Sequence, residues 1–408
     1  GLSPGTLTVA NSLTFRPGST YLAEIENGVS DNIVVQNGVA TIQDGANLQL
    51  QLTGAPTLEQ SYTILEAQTG ATIAWNDGFT VSSNFSRPLI ENAVQYSPTA
   101  VTVTYEGLSA PWSTVVNGTN AGAAANGVQS RGLGNPIYDE AVFLGEERID
   151  RAFSLLSGEI NASAKSVLVS DSRFVRNAVF DRLLMASGGT QASGMATADL
   201  RYASNGEAAA PTSAASMGTV WAEGFGSWGS TDGNSNVSSL DRNSSGVFIG
   251  ADTLVSAWRL GVFGGYSHTN FDVDNLSSSG DSDSYHAGVY AGSSWQNVLF
   301  RAGAAYSWND LSTTRLASLP TSQTLSADYN AGTGQIFGEV GYDVDAGPVG
   351  FQPFAGLAYV NLHTGSFTET GGVAALTSPS ESTSVSYTTL GVRASADFAL
   401  GSLLARAD

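Results

Sequence analysis

The N-terminal part of the chain alternates short apolar runs with clusters of turn-forming residues. From residue 1 to residue 107 the runs are rich in Val, Ile, Leu, Thr and Tyr, and Gly, Asn, Asp or Pro separates them. Within each run apolar and polar positions approximately alternate, which predicts short β-strands. Many short strands at this spacing are typical of a sandwich, a barrel or a β-solenoid.

One of these runs indicates how the strands stack. Leu48, Leu50 and Leu52 alternate with glutamines, so that an aliphatic ladder faces inward and a polar ladder faces water. This arrangement favours the stacked coils of a β-helix over the other two architectures. We expect the three leucines to lie in its core together with Tyr62 and Ile64.

The pattern changes twice after this region. Residues 108–157 begin with small and polar residues and predict a linker with a helical segment. Between residues 158 and 190 apolar positions recur every three or four residues, in the longest stretch of this part without proline or internal glycine. This spacing predicts a single helix of roughly 25 residues, about 38 Å long. Residues 191–217 then predict a flexible connection to a region of strands.

The charges of this helix exclude a position in lipid. Its basic residues are Lys165, Arg173, Arg176 and Arg182, and charged side chains inside a membrane face a polar interior. The helix therefore lies either inside a polar lumen or on the surface of a soluble domain.

The last part of the chain, residues 218–408, consists of longer alternating runs of about ten residues each. In one of them Trp258, Leu260 and Val262 share one face, and Arg259 lies on the other. An apolar face with aromatic residues at its ends and a polar face opposite predicts an outer-membrane β-barrel. A soluble lipocalin-like barrel or a sandwich is the alternative.

The connections between these runs are unequal in length. Three polar stretches, at residues 230–245, 272–283 and 311–330, predict long loops, whereas other connections are tight turns. Long loops that alternate with short turns are typical of outer-membrane barrels.

The amino-acid composition narrows the range of partners and sites that the chain can have. The chain of 408 residues has a net charge of -20, only 13% charged residues and 47 glycines, and Lys165 is its only lysine. The acidic excess argues against a nucleic-acid partner, because such binding needs clustered cations. The absence of cysteine excludes disulfides and thiolate zinc sites. We expect no cofactor and no metal.

The first five residues, Gly1 to Gly5, spell the written form of an esterase nucleophile elbow. Such an elbow needs a strand before the serine and a helix after it, whereas a strand is predicted after Ser3. No phosphate-binding loop motif occurs either. We therefore expect that this chain is not an enzyme.

Two stretches carry a resemblance to a known family. The helix with its flanks, LSGEINASAKSVLVSDSRFVRNAVFDRLL, and the strands from VWAEGFGSWGS onward resemble the translocator region of autotransporters, the type V secretion proteins of Gram-negative bacteria. The opening LSPGTLTVANSLTFRPGSTYLAEI is similar to the last coils of an autotransporter passenger, the autochaperone region. Coils, helix and glycine-rich strands occur here in the family's order.

The resemblance implies a mostly β architecture. It consists of an extracellular right-handed parallel β-helix over residues 1–107, a pore-spanning helix over 158–190 and an antiparallel outer-membrane barrel over 218–408. The family's barrel has twelve strands, and about eight to nine are present here. We expect that the sequence is truncated at both ends relative to the family.

The resemblance also implies the function. Such a protein translocates its own N-terminal passenger to the cell surface and anchors it in the outer membrane. The alternative is a surface adhesin or ligand-binding protein whose barrel serves only as an anchor. The implied partners are outer-membrane lipid, the barrel-assembly machinery, periplasmic chaperones and a host surface ligand of the passenger.

We expect the basic helix to be held by charged groups on the barrel wall. On a helical projection Arg173, Arg176 and Arg182 are expected to lie close together. The candidate lumenal residues of the barrel are Glu223, Asp252, Arg259, Arg301, Glu339, Asp343 and Arg393. The alternative is a surface helix whose charges are solvated.

Overall fold

The computed structural model describes residues 4–68, 70–188, 194–201, 216–346, 349–400 and 403–407. The nucleophile-elbow residues up to Ser3 lie outside this part. The chain divides into two compact units, Gly1–Ser157 and Gly158–Asp408. In the described ranges no helix combines the length and the apolar character needed to cross a lipid bilayer.

The first unit begins with short strands. Those of the described residues are β1 Thr6–Val9, β2 Leu13–Phe15, β3 Thr20–Glu26, β4 Val29–Ser30, β5 Asn32–Val35, β6 Gly38–Ile42, β7 Asn47–Thr53, β8 Ser61–Ala67, β9 Ala71–Trp75, β10 Thr80–Ser83, β11 Ile90–Tyr96 and β12 Ala100–Gly107.

Nine of these strands form three parallel sheets. The first contains β1, β5 and β8, the second β2, β6 and β9, and the third β3, β7 and β10. Each turn of the chain thus adds one strand to every sheet, which is the architecture of a parallel β-helix. The structure therefore selects the solenoid from the three architectures that the pattern allows.

The interior of the coils is a stacked aliphatic ladder. Leu50 of β7 lies in register with Ala23 of β3, and both side chains are fully buried. The five side chains that the sequence assigns to the passenger core are all buried: Leu48, Leu50, Leu52, Tyr62 and Ile64.

Antiparallel pairing ends the stack. Strand β12 pairs antiparallel with β8, and β11 pairs antiparallel with β12. This hairpin covers the edge of the first sheet, where the next parallel strand would otherwise bind.

Three helices follow within the first unit, in the range predicted as a linker with one helical segment. They are α1 Thr119–Gln129, α2 Pro136–Ala141 and α3 Glu146–Leu156. They pack around Trp112, which is fully buried and stacks on Tyr138 with ring centroids 5.0 Å apart. The residues of α1 are mostly small and allow close packing. A search of the sequence for large apolar residues does not reveal this packing.

The second unit begins with a long helix, α4 Glu159–Ala186. It starts after Gly158, whose φ of +69° favours glycine. Its 28 residues correspond to a length of about 42 Å. The structure thus contains a helix within the range 158–190.

The strands of the second unit are much longer than those of the first. In the described residues they are β13 Met195–Arg201, β14 Ser216–Thr231, β15 Leu240–Val255, β16 Trp258–Val273, β17 Ser278–Trp295, β18 Val298–Ala317, β19 Gln323–Tyr342, β20 Val344–Ala346, β21 Val349–Thr364, β22 Phe367–Thr368, β23 Thr377–Ser378, β24 Glu381–Leu400 and β25 Leu403–Ala407.

All of these strands except β22 and β23, which pair with each other, form one antiparallel sheet around the helix. Its order is β13-β14-β15-β16-β17-β18-β19-β21-β24-β25, and β20 pairs with β21. Helix α4 contacts β15 to β19 and β21. We call the face of the sheet toward α4 the lumenal face and the opposite one the outer face.

Eight long strands and the short β25 match the eight to nine that were expected, but two details of the prediction are wrong. Strand β13 lies within the range predicted as a flexible connection. The stretches predicted as long loops are largely strand, because β14 to β19 extend well beyond ten residues. In β18, for example, Leu311, Thr313 and Arg315 are buried at alternate positions. A strand with one covered face therefore extends into segments whose residues are mostly polar.

The two faces of the sheet differ as the alternation predicts. Apolar side chains such as Val262, Val289 and Ile336 are exposed on the outer face, and the exposed Trp258 and Trp295 lie at the ends of β16 and β17. An exposed apolar band with aromatic ends suits contact with lipid.

The lumenal face holds large aromatic rings, and glycines on neighbouring strands make room for them. A Cβ atom at Gly261 would lie 2.2 Å from the ring of Tyr290, and one at Gly250 would lie 2.5 Å from the ring of Trp221. Real Cβ atoms do not approach other atoms so closely. Close packing on this face therefore explains part of the glycine content.

Candidate functional site

Helix α4 and the lumenal face of the sheet form the candidate site. Val175, Val179 and Leu183 of the helix belong to one apolar cluster with aromatic rings of the wall. Phe174 stacks on Phe225 of β14 with ring centroids 4.5 Å apart. Because both surfaces are apolar at these points, their contact excludes water and helps to fix the helix.

A buried ion pair joins the C-terminal part of α4 to the wall. Nε and Nη2 of Arg182 donate to the two carboxylate oxygens of Asp252 at 2.6 Å and 2.8 Å. The two side chains are 4% and 0% exposed. Parallel hydrogen bonds of this kind combine charge with a defined orientation.

Asp252 has further partners, which together we call the Asp252 cluster. Arg259 donates to Asp252 at 2.5 Å, and the hydroxyl of Tyr290 donates at 2.8 Å. The indole N–H of Trp221 donates to that hydroxyl at 2.6 Å. The carboxylate is thus fully hydrogen-bonded, which is the condition for a stable buried charge.

The other basic residues of the helix bind elsewhere. Arg176 donates to Gln335 of β19 at 2.8 Å, and Arg173 donates to Ser227 of β14 at 3.3 Å. Arg173, Arg176 and Arg182 therefore reach three different strands, and the expectation that they lie close together is wrong. Residues nine positions apart, such as Arg173 and Arg182, point about 180° apart at 100° per residue.

Lys165 forms an ion pair with Glu381 of β24, a residue outside the predicted set. Helix α4 also carries an acidic residue, Asp171, that binds the wall.

Asp171 accepts hydrogen bonds from Ser244 at 3.0 Å and Thr269 at 2.8 Å, and it pairs with Arg242 at 3.1 Å. Both surfaces therefore carry charges of both signs.

A second charged group lies on the wall itself. Arg301 donates to Oε1 of Glu339 at 2.5 Å, and Arg393 donates to both carboxylate oxygens, at 2.9 Å and 2.8 Å. Asp343 accepts a hydrogen bond from Gln352 at 2.6 Å. These predicted residues thus pair with groups of the sheet and do not bind the helix cations.

Glu223 differs from the other predicted residues. Its side chain is buried on β14, and its Oε2 has no hydrogen-bond partner among the described residues. The structure therefore brings one of the seven wall candidates, Asp252, into an ion pair with α4.

A third group at the N-terminal end of α4 was not predicted. Glu369, in the connection between β21 and β24, accepts hydrogen bonds from Arg315 of β18 at 2.8 Å and 2.7 Å, and from Asn161 of α4 at 3.1 Å. Burial opposes ionisation of Glu369, but the hydrogen bonds from Arg315 and from the amide of Leu376 outweigh it. They hold the pKa of this carboxyl below its ordinary value.

No local motif marks this group, because Glu369 and Arg315 are separated by 54 positions. In the described part of the chain, no group of three or more His, Asp and Glu side chains is placed to hold a metal ion. The site is therefore a set of contacts that hold a helix against a wall.

Comparison with known proteins identifies the family of the chain. The family model described as the autotransporter β-domain matches residues 220–407. An extracellular serine protease of Serratia marcescens is 30% identical over 446 residues, which cover 97% of this chain and 40% of that protein. A second protein of the same name and organism is 34% identical over 281 residues, which cover 68% of this chain and 25% of that protein.

Among solved structures, the translocator domain of the autotransporter NalP from Neisseria meningitidis aligns with a TM-score of 0.43 and 14% identity, over 60% of this chain and 76% of that chain. The chain spans less than half the length of the two Serratia relatives. Residues 220–407 are an autotransporter β-domain, and the chain belongs to the autotransporters, which secrete a passenger across the outer membrane of Gram-negative bacteria.

Proposed function

We propose that the β-domain exports and anchors its own passenger, and that folding of the β-helix at the cell surface biases the movement outward. Helix α4 closes the lumen after passage and is held there by the wall. The observation that carries this proposal is the buried pair of Arg182 and Asp252, which places a charged helix against a polar lumenal face.

The bias comes from burial of aliphatic side chains as each coil forms. Leu48, Leu50 and Leu52 are buried together in a single strand, β7. Complete burial of one such side chain stabilises by about 1.5–3 kcal/mol before entropy is counted. A coil that has formed outside must therefore unfold before the chain slides back, and the process needs no nucleotide.

The location of the protein in the outer membrane indicates which partners it meets. An autotransporter β-domain resides in the outer membrane and depends on the assembly machinery of that membrane. As specific partners of this chain we propose outer-membrane lipid on the apolar outer face and periplasmic chaperones during transit. The absence of cysteine suits a chain that crosses an oxidising compartment unfolded.

The test separates passenger folding from barrel insertion. Ile64→Asp places a charge in a fully buried position of β8, and Gln49→Asp places the same residue at an exposed position of β7. We expect that Ile64→Asp lowers the protease-accessible passenger on intact cells, whereas the heat-dependent mobility shift of the barrel persists. Gln49→Asp should leave both unchanged. Normal surface display of the Ile64→Asp protein would contradict the folding bias.

The activity of the passenger is a separate question with two candidates. The two Serratia relatives are named extracellular serine proteases, which favours a hydrolytic passenger for this chain as well. The other candidate is an adhesin, in which the solenoid binds a host surface ligand and the barrel serves only as an anchor. Labelling of intact cells with a serine-reactive phosphonate probe would support the first candidate, and adherence without labelling would support the second.

A further inference from the structure

An exposed tryptophan lies on the outer face, near the end of β14. Trp228 is 77% exposed. The side chain of its neighbour Ser227 accepts a hydrogen bond from Arg173 of α4, so Trp228 points away from the lumen. A Cβ atom at Gly226 would lie 3.2 Å, 3.7 Å and 3.8 Å from three carbons of the indole. The indole therefore lies over Gly226, and its other face is open to the surroundings.

Polar side chains extend from Trp228 across the two neighbouring strands. Trp228 lies in register with Asn243 of β15, and Asn243 lies opposite Asn270 of β16. The next row of the outer face adds one serine and two aspartates. We call this exposed group the Trp228 patch, and its members are Trp228, Ser230, Asp241, Asn243, Asn270 and Asp272. They line a depression of about 450 Å³, within the range of roughly 300–1,000 Å³ that is typical of small-molecule sites.

The folding of the barrel does not account for the polar members of this patch. Within the described ranges, none of them forms a side-chain hydrogen bond or an ion pair. Asp241 and Asp272 lie directly opposite each other, and like charges in this arrangement destabilise a sheet. The neighbouring cation, Arg242, does not neutralise them, because it binds Asp171 on the lumenal side.

The chemistry of the patch fits an uncharged sugar ring. A pyranose ring has a face of C–H groups, which packs on the electron-rich face of an indole. Its hydroxyl groups donate to carboxylates, and they both donate to and accept from amides.

Charged ligands fit the patch less well. A divalent cation such as Ca²⁺ takes about six to eight oxygen ligands, and in the part of the chain that the structure describes no group of three or more His, Asp and Glu side chains is placed to hold a metal ion. A phosphate group would be repelled by the two carboxylates. The patch therefore favours a neutral saccharide.

The position of the patch indicates where the sugar comes from. Strand β14 ends at Thr231, and the backbone N–H of Ser238 in the following connection donates to Glu159, at the start of α4, at 2.7 Å. Since the passenger precedes α4 in the chain, this end of the barrel is the one at the cell surface. Tryptophans on the outer face of a barrel lie at the level of the lipid headgroups. The outer leaflet of Gram-negative bacteria consists largely of glycolipids.

We propose that the Trp228 patch binds an uncharged sugar ring in the headgroup of an outer-leaflet glycolipid. The indole stacks on the C–H face of the ring, and the asparagines and aspartates of the patch bind its hydroxyl groups. This inference rests on the proposed contact of the outer face with lipid, but it is independent of how the passenger moves.

The experiment measures how far a sugar headgroup protects Trp228 from oxidation. Full-length protein is folded in lauryl dimethylamine oxide micelles, and dodecyl maltoside, whose headgroup is an uncharged disaccharide, is added. Hydroxyl-radical oxidation of each tryptophan is then followed by mass spectrometry. We expect oxidation of Trp228 to fall by about fivefold at roughly four times the dissociation constant, because protection grows with occupancy. Trp258, exposed at the opposite end of β16, reports the general effect of detergent exchange and should change little.

Two variants test the polar contacts. Asp272→Ala should abolish most of the protection of Trp228. Asp328→Ala is the matched control, because Asp328 is also exposed, on β19, and lies outside the patch. Both changes are at exposed positions, so both proteins should keep the heat-dependent mobility shift of the folded barrel.

Four outcomes would overturn the proposal. They are equal protection of Trp228 and Trp258, full protection in Asp272→Ala, protection that needs calcium and is lost with a chelator, and protection by free maltose as strong as that by dodecyl maltoside. The third would indicate a metal site, and the fourth a site for soluble sugars. Quenching of outer-face tryptophans by a spin-labelled lipid tests the contact with lipid separately. Quenching without protection of Trp228 would therefore overturn the sugar site alone.

Discussion

The contact between Arg182 and Asp252 permits a quantitative prediction about how firmly α4 is held. Arg182→Met keeps the length and apolar character of the side chain but removes both hydrogen bonds to Asp252. Asp252 retains Arg259 and Tyr290 as partners, so its charge is not left isolated. The loss is therefore smaller than that for a fully unpaired buried charge.

The net contribution of a hydrogen bond to a charged group is about 1.5–3 kcal/mol of stability. With two bonds lost and two partners retained, we expect the free energy of helix release to fall by about 2–3 kcal/mol, which is roughly 30- to 160-fold in population. The matched control is Arg173→Met in the same helix. Arg173 is exposed and reaches a serine at 3.3 Å, so that its loss should cost less than about 0.5 kcal/mol.

The assay uses the absence of cysteine from the chain. Ala178→Cys introduces a single thiol at a position of α4 that is 1% exposed. A bulky maleimide labels this thiol only when the helix leaves the wall, so the labelling rate reports the released population. On this background we expect the rate to rise by the stated factor with Arg182→Met and by less than about threefold with Arg173→Met.

Equal rates for the two methionine variants would refute the reasoning, because charge pairing would then contribute nothing specific to holding the helix. A double-mutant cycle of Arg182→Met with Asp252→Asn gives the coupling directly. A coupling energy near zero, with both single variants folded, would lead to the same conclusion.

Two further predictions concern the N-terminal end of α4 and the packing of the lumenal face. Glu369→Gln weakens the contact with Arg315, so proteolysis of residues 365–380 should increase severalfold. Since hydrogen bonds hold the pKa of Glu369 below its ordinary value, the wild type should lose this protection as the pH falls through that lowered value, and the variant should not. Gly261→Ala should lower the fraction of folded barrel on gels, because its Cβ atom would lie 2.2 Å from the ring of Tyr290. Gly264→Ala, on the outer face of the same strand with its nearest atom at 3.5 Å, should leave this fraction unchanged. Equal effects of the two alanines, or pH-independent proteolysis in both proteins, would contradict these predictions.

The architecture could largely be predicted from local patterns. Alternation in β7 predicts both a strand and its buried leucines, and the three- to four-residue spacing predicts α4 to within a few residues of its ends. Both patterns depend on the backbone period alone, and neighbouring residues carry that information. The length of β14 to β19 was underestimated, because polar side chains beside a covered lumen are compatible with a strand.

The pairing of charges was predicted only in outline. The sequence indicates that a charged helix needs a polar wall, and it names Asp252 among the wall candidates. It does not reveal that Arg173 and Arg176 bind neutral side chains, or that Asp171 gives the helix an acid that binds Arg242. The contact of Glu369 with Arg315 and Asn161 left no sequence signal at all.

The sequence by itself determines the order of solenoid, helix and membrane strands, because each follows from a period of apolar positions along the chain. Only the tertiary structure decides which charges meet. The curvature and register of the sheet around α4 bring together residues far apart in sequence, such as Arg182 and Asp252, and leave Glu223 without a hydrogen-bond partner for its Oε2 among the described residues. A pairing energy depends on distance and burial, and neither is encoded in the spacing of residues along the chain.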